Sequence, residues 1–359
     1  MKKLLFVMVA VLAVSCAMPV FSKFDALAAK KEKKEKVVFA SGRPDDAWYA
    51  LSYGLSTMIN ERSEWLEAEV VATAGVADAT RLAQRSPEKR ANHVVISQTP
   101  GMELWATPEY TTKKIGSCLH LASAWVTLDP KIKTLKDLKG KTVAVSRKGP
   151  GFYVWIFADI LRQEGVWDSI KPMFGGTSAA LTALQDGAAD AGYIMFTYIY
   201  PDTYQLGPFL EQLQTRGTLH FIQQGDVDRN IDLIRKAGFA EDYKAAPVPP
   251  LALVVPPKAL TENQTEPTVI VSSPIFWAAG TDMSEDTVYE ITRIMYEAAE
   301  KGEFVNYHVS GKGITPDFLT TSFWETEEEC RKNYHPGALK YYDERGIKLK
   351  SFGDSYIKK

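Results

Sequence analysis

The chain has 359 residues, a formal net charge of −2, 45% hydrophobic and 24% charged residues. This is the composition of a soluble globular protein long enough for two domains of ordinary size, and its balanced charge excludes a dedicated nucleic-acid binder, which needs a clustered basic surface to neutralise phosphates. The five histidines stand singly, without the paired spacing of a metal site, and there is no nucleophile elbow, phosphate loop or zinc-protease helix, so no cofactor and no catalytic constellation is expected.

Met1-Lys2-Lys3 followed by the apolar residues 4–14 has the form of a secretory signal and is too short to stay in a bilayer as a spanning helix. Leu12-Ala13-Val14-Ser15-Cys16 resembles a bacterial lipobox, while Val20-Phe21-Ser22 and Ala26-Leu27-Ala28 offer ordinary cleavage sites. A lipid at Cys16 and a freely soluble form therefore both stay open. A signal over residues 1–28 is expected, then a charged, solvated linker over 29–36, with folded structure from Val37. Beyond Cys16 the thiols are Cys118 and Cys330, whose pairing the sequence leaves open.

From Val37 short apolar runs alternate with amphipathic segments, the pattern of strands and crossover helices in a mostly parallel sheet. Lys36-Val37-Val38-Phe39-Ala40 reads as a strand and residues 41–46 as a turn, with Asp45 or Asp46 capping a helix that presents Trp48, Leu51, Leu55 and Met58 on one face. Glu69 to Ala72 leads through Thr73-Ala74-Gly75 into a helix carrying Val76, Ala79, Leu82 and Ala83, and His93 to Ile96 ends at Ser97-Gln98-Thr99. Loops leaving the carboxyl ends of parallel strands line the ligand crevice. Residues 119–127 form a strand toward a second lobe, residues 135–141 a short helix stopped by Gly140, and residues 142–145 a strand feeding the loop 146–151 and a helix with Phe152, Ile156 and Ile160. A helix over 177–186 and a strand over 190–195 follow, then a crossing strand at 219–222 and a Pro-rich stretch at 247–257 that carries no helix. A helix over 284–302 and a last one between Pro336 and Gly346 pack back on the first lobe.

The order of these segments, Thr134 to Val145, Leu181 to Ala191, Asp286 to Thr292 and the helix beginning His335-Pro336-Gly337-Ala338 together resemble the TRAP-associated extracytoplasmic immunogenic (TAXI) group of solute-binding proteins. The resemblance implies the type II periplasmic binding protein fold, two α/β lobes joined by hinge strands with a ligand cleft between them. Lobe 1 is expected over 37–127 and 224–359, and lobe 2 over 128–223. It further implies a periplasmic or extracytoplasmic protein that captures a small organic acid or amino acid and delivers it to TRAP transporter membrane subunits, with neither cofactor nor covalent chemistry. The alternatives are a type II binding protein for an ATP-driven importer or a ligand sensor, and a secreted enzyme on a similar scaffold.

Candidate ligand contacts follow from the loops. Arg43 offers a permanently charged planar fork that matches a carboxylate, unless Asp45 or Asp46 takes it. Gly42 and Gly75 shape their loops, and Thr73 and Gln98 bring hydrogen-bonding groups to strand ends. Arg147, Gly149 and Gly151 precede a helix start, where free N–H groups favour an anion, or else the glycines serve a tight turn alone. Trp48, Tyr49, Phe152 and Tyr198 are expected as apolar walls, with core burial as the alternative for Trp48.

Overall fold

The computed structural model describes residues 34–44, 46–98, 107, 109–145, 152–175, 177–199, 203–237, 251–322 and 326–351. The signal segment, Cys16 and linker residues 29–33 lie outside them.

Two strand–loop–helix units and a third strand open the fold, as the alternating pattern predicts. β1 (Glu35–Ser41) passes through residues 42–46 into α1 (Ala47–Arg62). β2 (Leu66–Ala72) leads to α2 (Val76–Ala83) and α3 (Pro87–Asn92), and β3 (His93–Gln98) follows. β1 pairs in parallel with both β2 and β3. All of β3 is buried, as a strand covered on both faces must be, and α1 turns Leu51, Leu55, Met58 and Ile59 inward at helical spacing. β1 begins inside the expected linker: Glu35 and Lys36 are rungs opposite Leu66 and Glu67. Their charges are met at the sheet edge, since Lys36 Nζ lies 2.9 Å from Glu69 and the Glu35 carboxylate accepts the Thr287 hydroxyl at 2.6 Å.

β4 (Thr112–Thr127) is a 16-residue strand, roughly 50 Å long at the rise of an extended chain. Beyond it come β5 (Thr142–Val145), α4 (Phe152–Gln163), β6 (Lys171–Phe174), α5 (Thr177–Gln185) and β7 (Ala191–Ile199). β5 pairs in parallel with β6 and β7, while β7 runs antiparallel to β4. The expected helix over 135–141 is a single 3-10 turn, Leu135–Leu138, closed at its start by reciprocal bonds between Thr134 and Asp137.

β8 (Thr203–Gln205), α6 (Gly207–Gln214), β9 (His220–Phe221), α7 (Val227–Lys236) and β10 (Leu251–Val255) lead to the 13-residue β11 (Thr268–Gly280). β11 inserts antiparallel between β3 and β4, giving the order β2-β1-β3-β11-β4-β7-β5-β6. The chain ends with α8 (Glu285–Glu300), α9 (Pro316–Thr320), β12 (Thr321–Ser322), α10 (Glu327–Asn333), α11 (Pro336–Glu344) and β13 (Lys350–Ser351). The Ser284 hydroxyl caps α8 by accepting the Thr287 N–H at 3.0 Å.

β4 and β11 serve both halves of the molecule. Ile115, Cys118 and Leu119 of β4, with Ile275, Trp277 and Ala279 of β11, join the first-half core around Phe39, Leu55 and Ile291. Farther along, Ala122, Ala124 and Val126 with Ile270 join a second core, and Trp125 with Val269 and Val271 a third on the opposite face. At the changeover Pro274 stands opposite His120, and the register shifts between Ile275 and Phe276 and again between Trp277 and Ala278. Pro274 has no N–H to give the ladder. Two α/β halves strung on a shared pair of long strands form the two-lobed type II binding-protein fold.

The expected division placed residues 224–359 with the first lobe. The packing differs: Leu233 and Ile234 of α7 lie against Val269 and Val271 in the third core, and Leu253 and Val255 of β10 in the second. Ile275, Trp277, Ile291, Met295, Tyr342 and Leu349 lie in the first-half core. Cys118 and Cys330 are both buried, and no disulfide joins them.

Candidate functional site

The carboxyl ends of β1, β2 and β3 lie side by side, with Ser41 opposite Ala72 and Ala40 opposite Val95. The loops leaving β1 and β2 are stitched together. The Thr73 N–H donates to the Gly42 carbonyl at 3.2 Å, and its hydroxyl donates to the Ser41 carbonyl. Thr73 is buried, so in this conformation its hydroxyl serves the sheet rather than a ligand. Gly75, at φ 133°, starts α2 in a backbone conformation that favours glycine. Gln98 ends β3 in a buried position opposite Ile275.

Asp46 organises the first loop. It occupies the cap position of α1, yet its carboxylate makes no cap bond. Instead Oδ2 accepts the Arg43 N–H at 2.8 Å and the Trp48 indole N–H at 3.0 Å, and Arg43 Nη2 stands 3.7 Å from Oδ1. Of the two readings of Arg43, pairing with an aspartate is the one found, although its side chain remains 41% exposed. Gly42 lies directly under the indole, where a Cβ would stand 1.6 Å from Trp48 Nε1. Trp48 packs in part on the first-half core, and Tyr49 is half-buried beside it. Beneath the loop the Ser41 and Ser52 hydroxyls bond at 3.1 Å, and Trp277 Nε1 donates to Ser52 at 2.9 Å.

Arg147, Gly149 and Gly151 lie outside the described residues, and so does the side chain of Phe152, the first residue of α4. Tyr198, expected as a pocket wall, is 4% exposed in the second core. Strand alternation puts it on the same face as Phe196, and its ring lies 5.0 Å from those of His120 and Tyr204.

Two residues that the sequence did not single out stand near the changeover. His120 is enclosed between Tyr198 and Phe318, and burial together with the Lys114 charge pulls its pKa down to about 3, so it is neutral. Lys114 is wholly buried; Nζ donates to Ser117 Oγ at 2.8 Å, the Thr321 carbonyl at 2.6 Å and Ser322 Oγ at 3.2 Å. The rings of Phe276 and Tyr334 flank it at 5.4 and 5.1 Å. Burial without a carboxylate within ion-pair distance among the described residues pulls its pKa down to about 7. No sequence signal marked it, because a lysine in a strand ordinarily reads as exposed.

The family model described as NMT1/THI5 like matches residues 66–244, and that of the NMT1-like family matches residues 211–346. These descriptions differ from the TAXI group that the motifs resemble. Among solved structures, the chain is similar to the sulfonate-binding protein SsuA from Methylobacillus flagellatus KT, at 16% identity over 89% of this chain and 90% of that one, with a TM-score of 0.44. SsuA from Escherichia coli, which binds aliphatic sulphonates, gives 14% identity over 91% and 93%, with a TM-score of 0.43. The extracellular amino-acid-binding protein YtmK from Bacillus subtilis gives 14% over 78% and 99%, also at 0.43.

Proposed function

We propose that this protein is a non-enzymatic, extracytoplasmic solute-binding protein that captures a small anionic metabolite and delivers it to a membrane transporter. The observation that carries this reading is the pair of linked loops at the carboxyl ends of β1 and β2, beside the end of β3, on a sheet whose two longest strands run through both halves. Of the two transporter readings, the ATP-driven importer is preferred to the TRAP system, because the family models that match are NMT1/THI5-like. Residues 1–28 would direct export, with or without a lipid at Cys16.

In the mechanism we propose, the anion enters the open form and takes the Arg43 guanidinium from Asp46. A bidentate contact to a carboxylate or sulfonate is short and directional, and the Arg43 side chain is 41% exposed. The N–H groups of the Arg147 to Gly151 segment, which precedes α4, are assigned as further partners of the anion. Bending of β4 and β11 about His120 and Pro274 then brings the halves together and excludes water.

The test is thermal unfolding of the mature protein with aliphatic sulfonates, amino acids, dicarboxylates and keto acids. A ligand at a hundred times its Kd adds about 2.7 kcal/mol. One acid that raises Tm identifies the solute class, and Arg43→Ala should then weaken its binding tenfold or more without lowering the ligand-free Tm. No shift with any of them, together with no small molecule released on denaturation, would refute the reading.

A further inference from the structure

Between the second-half sheet and helices α4 and α7 lies a cavity with room for about one water molecule. Ser123 and Trp125, two residues apart on β4 and therefore on one face of the sheet, line it; so does Asn230 of α7. Ser123 is 1% and Trp125 6% exposed, and neither Ser123 Oγ nor Trp125 Nε1 meets a hydrogen-bond partner among the described residues. Orphaned polar atoms at such depth are costly and uncommon, and two on one wall call for an occupant.

The chemistry of the wall defines that occupant. An indole N–H only donates, so the guest must accept. Asn230 Oδ1 accepts the Gln224 N–H at 2.8 Å and keeps a second lone pair, open to a guest that can also donate. Leu233, Ile234 and Val271 close the remaining space. We propose that the cavity holds one ordered water, which accepts from Trp125 Nε1, exchanges a hydrogen bond with Ser123 Oγ and donates to Asn230 Oδ1. This water ties α7 to the sheet through polar contacts that the protein atoms alone do not make. The site is separate from the ligand loops and does not depend on the proposed function.

The water is tested by NMR of the full mature protein labelled with ¹⁵N. The Trp125 indole signal, assigned as the one lost in Trp125→Phe, is expected to show a cross-peak to water. If that variant does not fold, the indole signal displaced in Ser123→Ala gives the assignment. Ser123→Ala removes one of the water's partners and should lower Tm by about 2 °C. In a dry cavity the same substitution deletes an orphaned hydroxyl and raises Tm. A missing cross-peak, or a raised Tm, overturns the proposal.

Discussion

Lys114 makes the stability of this protein depend on pH in an unusual direction. In the unfolded chain its ammonium titrates near 10.5, and in the folded protein near 7. Between these values the unfolded state binds more protons, so stability rises with pH across the window and the gain is lost as pH falls toward 7. Cys330, Tyr334 and His120 are titratable groups near the amine; burial raises the pKa values of the first two, and His120, lowered to about 3, stays neutral across this window. Cys330, Tyr334 and the other buried thiols and phenols oppose the trend at high pH, so the effect must be read as a difference from Lys114→Met. That variant keeps the volume and leaves the Thr321 carbonyl its second donor, Ser117 Oγ at 3.1 Å. Between pH 7 and 9 the wild type should gain about 2 kcal/mol relative to the variant, integrating about 1.4 kcal/mol per pH unit over the part of the window covered. Urea unfolding of both proteins at the two pH values measures it. Parallel profiles would mean that the amine stays charged when buried, and would refute the reasoning.

Acid should act through the histidines first. Burial lowers the pKa of His93 and His335 to about 4, and that of His120 to about 3. Their stabilising effect, complete above the unfolded value near 6.5, is lost as pH falls from there toward the folded values. Tm should therefore fall between pH 6.5 and 4.5, less steeply in His120→Gln; equal slopes would remove His120 from the account. Gly42→Ala puts a methyl into the Trp48 indole and must open the loop. Ligand affinity should drop at least tenfold while far-UV circular dichroism stays unchanged, and wild-type affinity would show that the loop is not part of the site.

Strands covered on both faces and helices with a clear apolar stripe were legible in the sequence. β3 carries the apolar run Val94-Val95-Ile96 at its centre, and α8 carries its cap and its stripe in a single window. β11 was not legible, although it is central to the sheet. Pro274 and the serines before it argue against a middle strand, and only the changeover of cores and the register shifts that follow Pro274 make it tolerable there. The candidate loops were readable as a group, because topology alone puts the ends of parallel strands together. The fate of each side chain was not. Arg43 and Trp48 both turn to Asp46, and Thr73 to Ser41, through contacts that depend on how neighbouring loops meet. Tyr198 could line a cleft or fill a core with equal propriety, since alternation says which residues share a face but not what lies over it.

The position of β11 also sets a timetable. The sheet of the first half has β3 and β4 on either side of a strand that begins 170 residues after β3 ends. At common rates of synthesis that interval is roughly ten to thirty seconds, during which the amino-terminal segments have no central strand to pair with and no completed core. Under the export proposed above this delay is useful, because a polypeptide threaded through a membrane must still be unfolded when it arrives. Placing a central strand late in the sequence keeps it so without a separate inhibitor of folding.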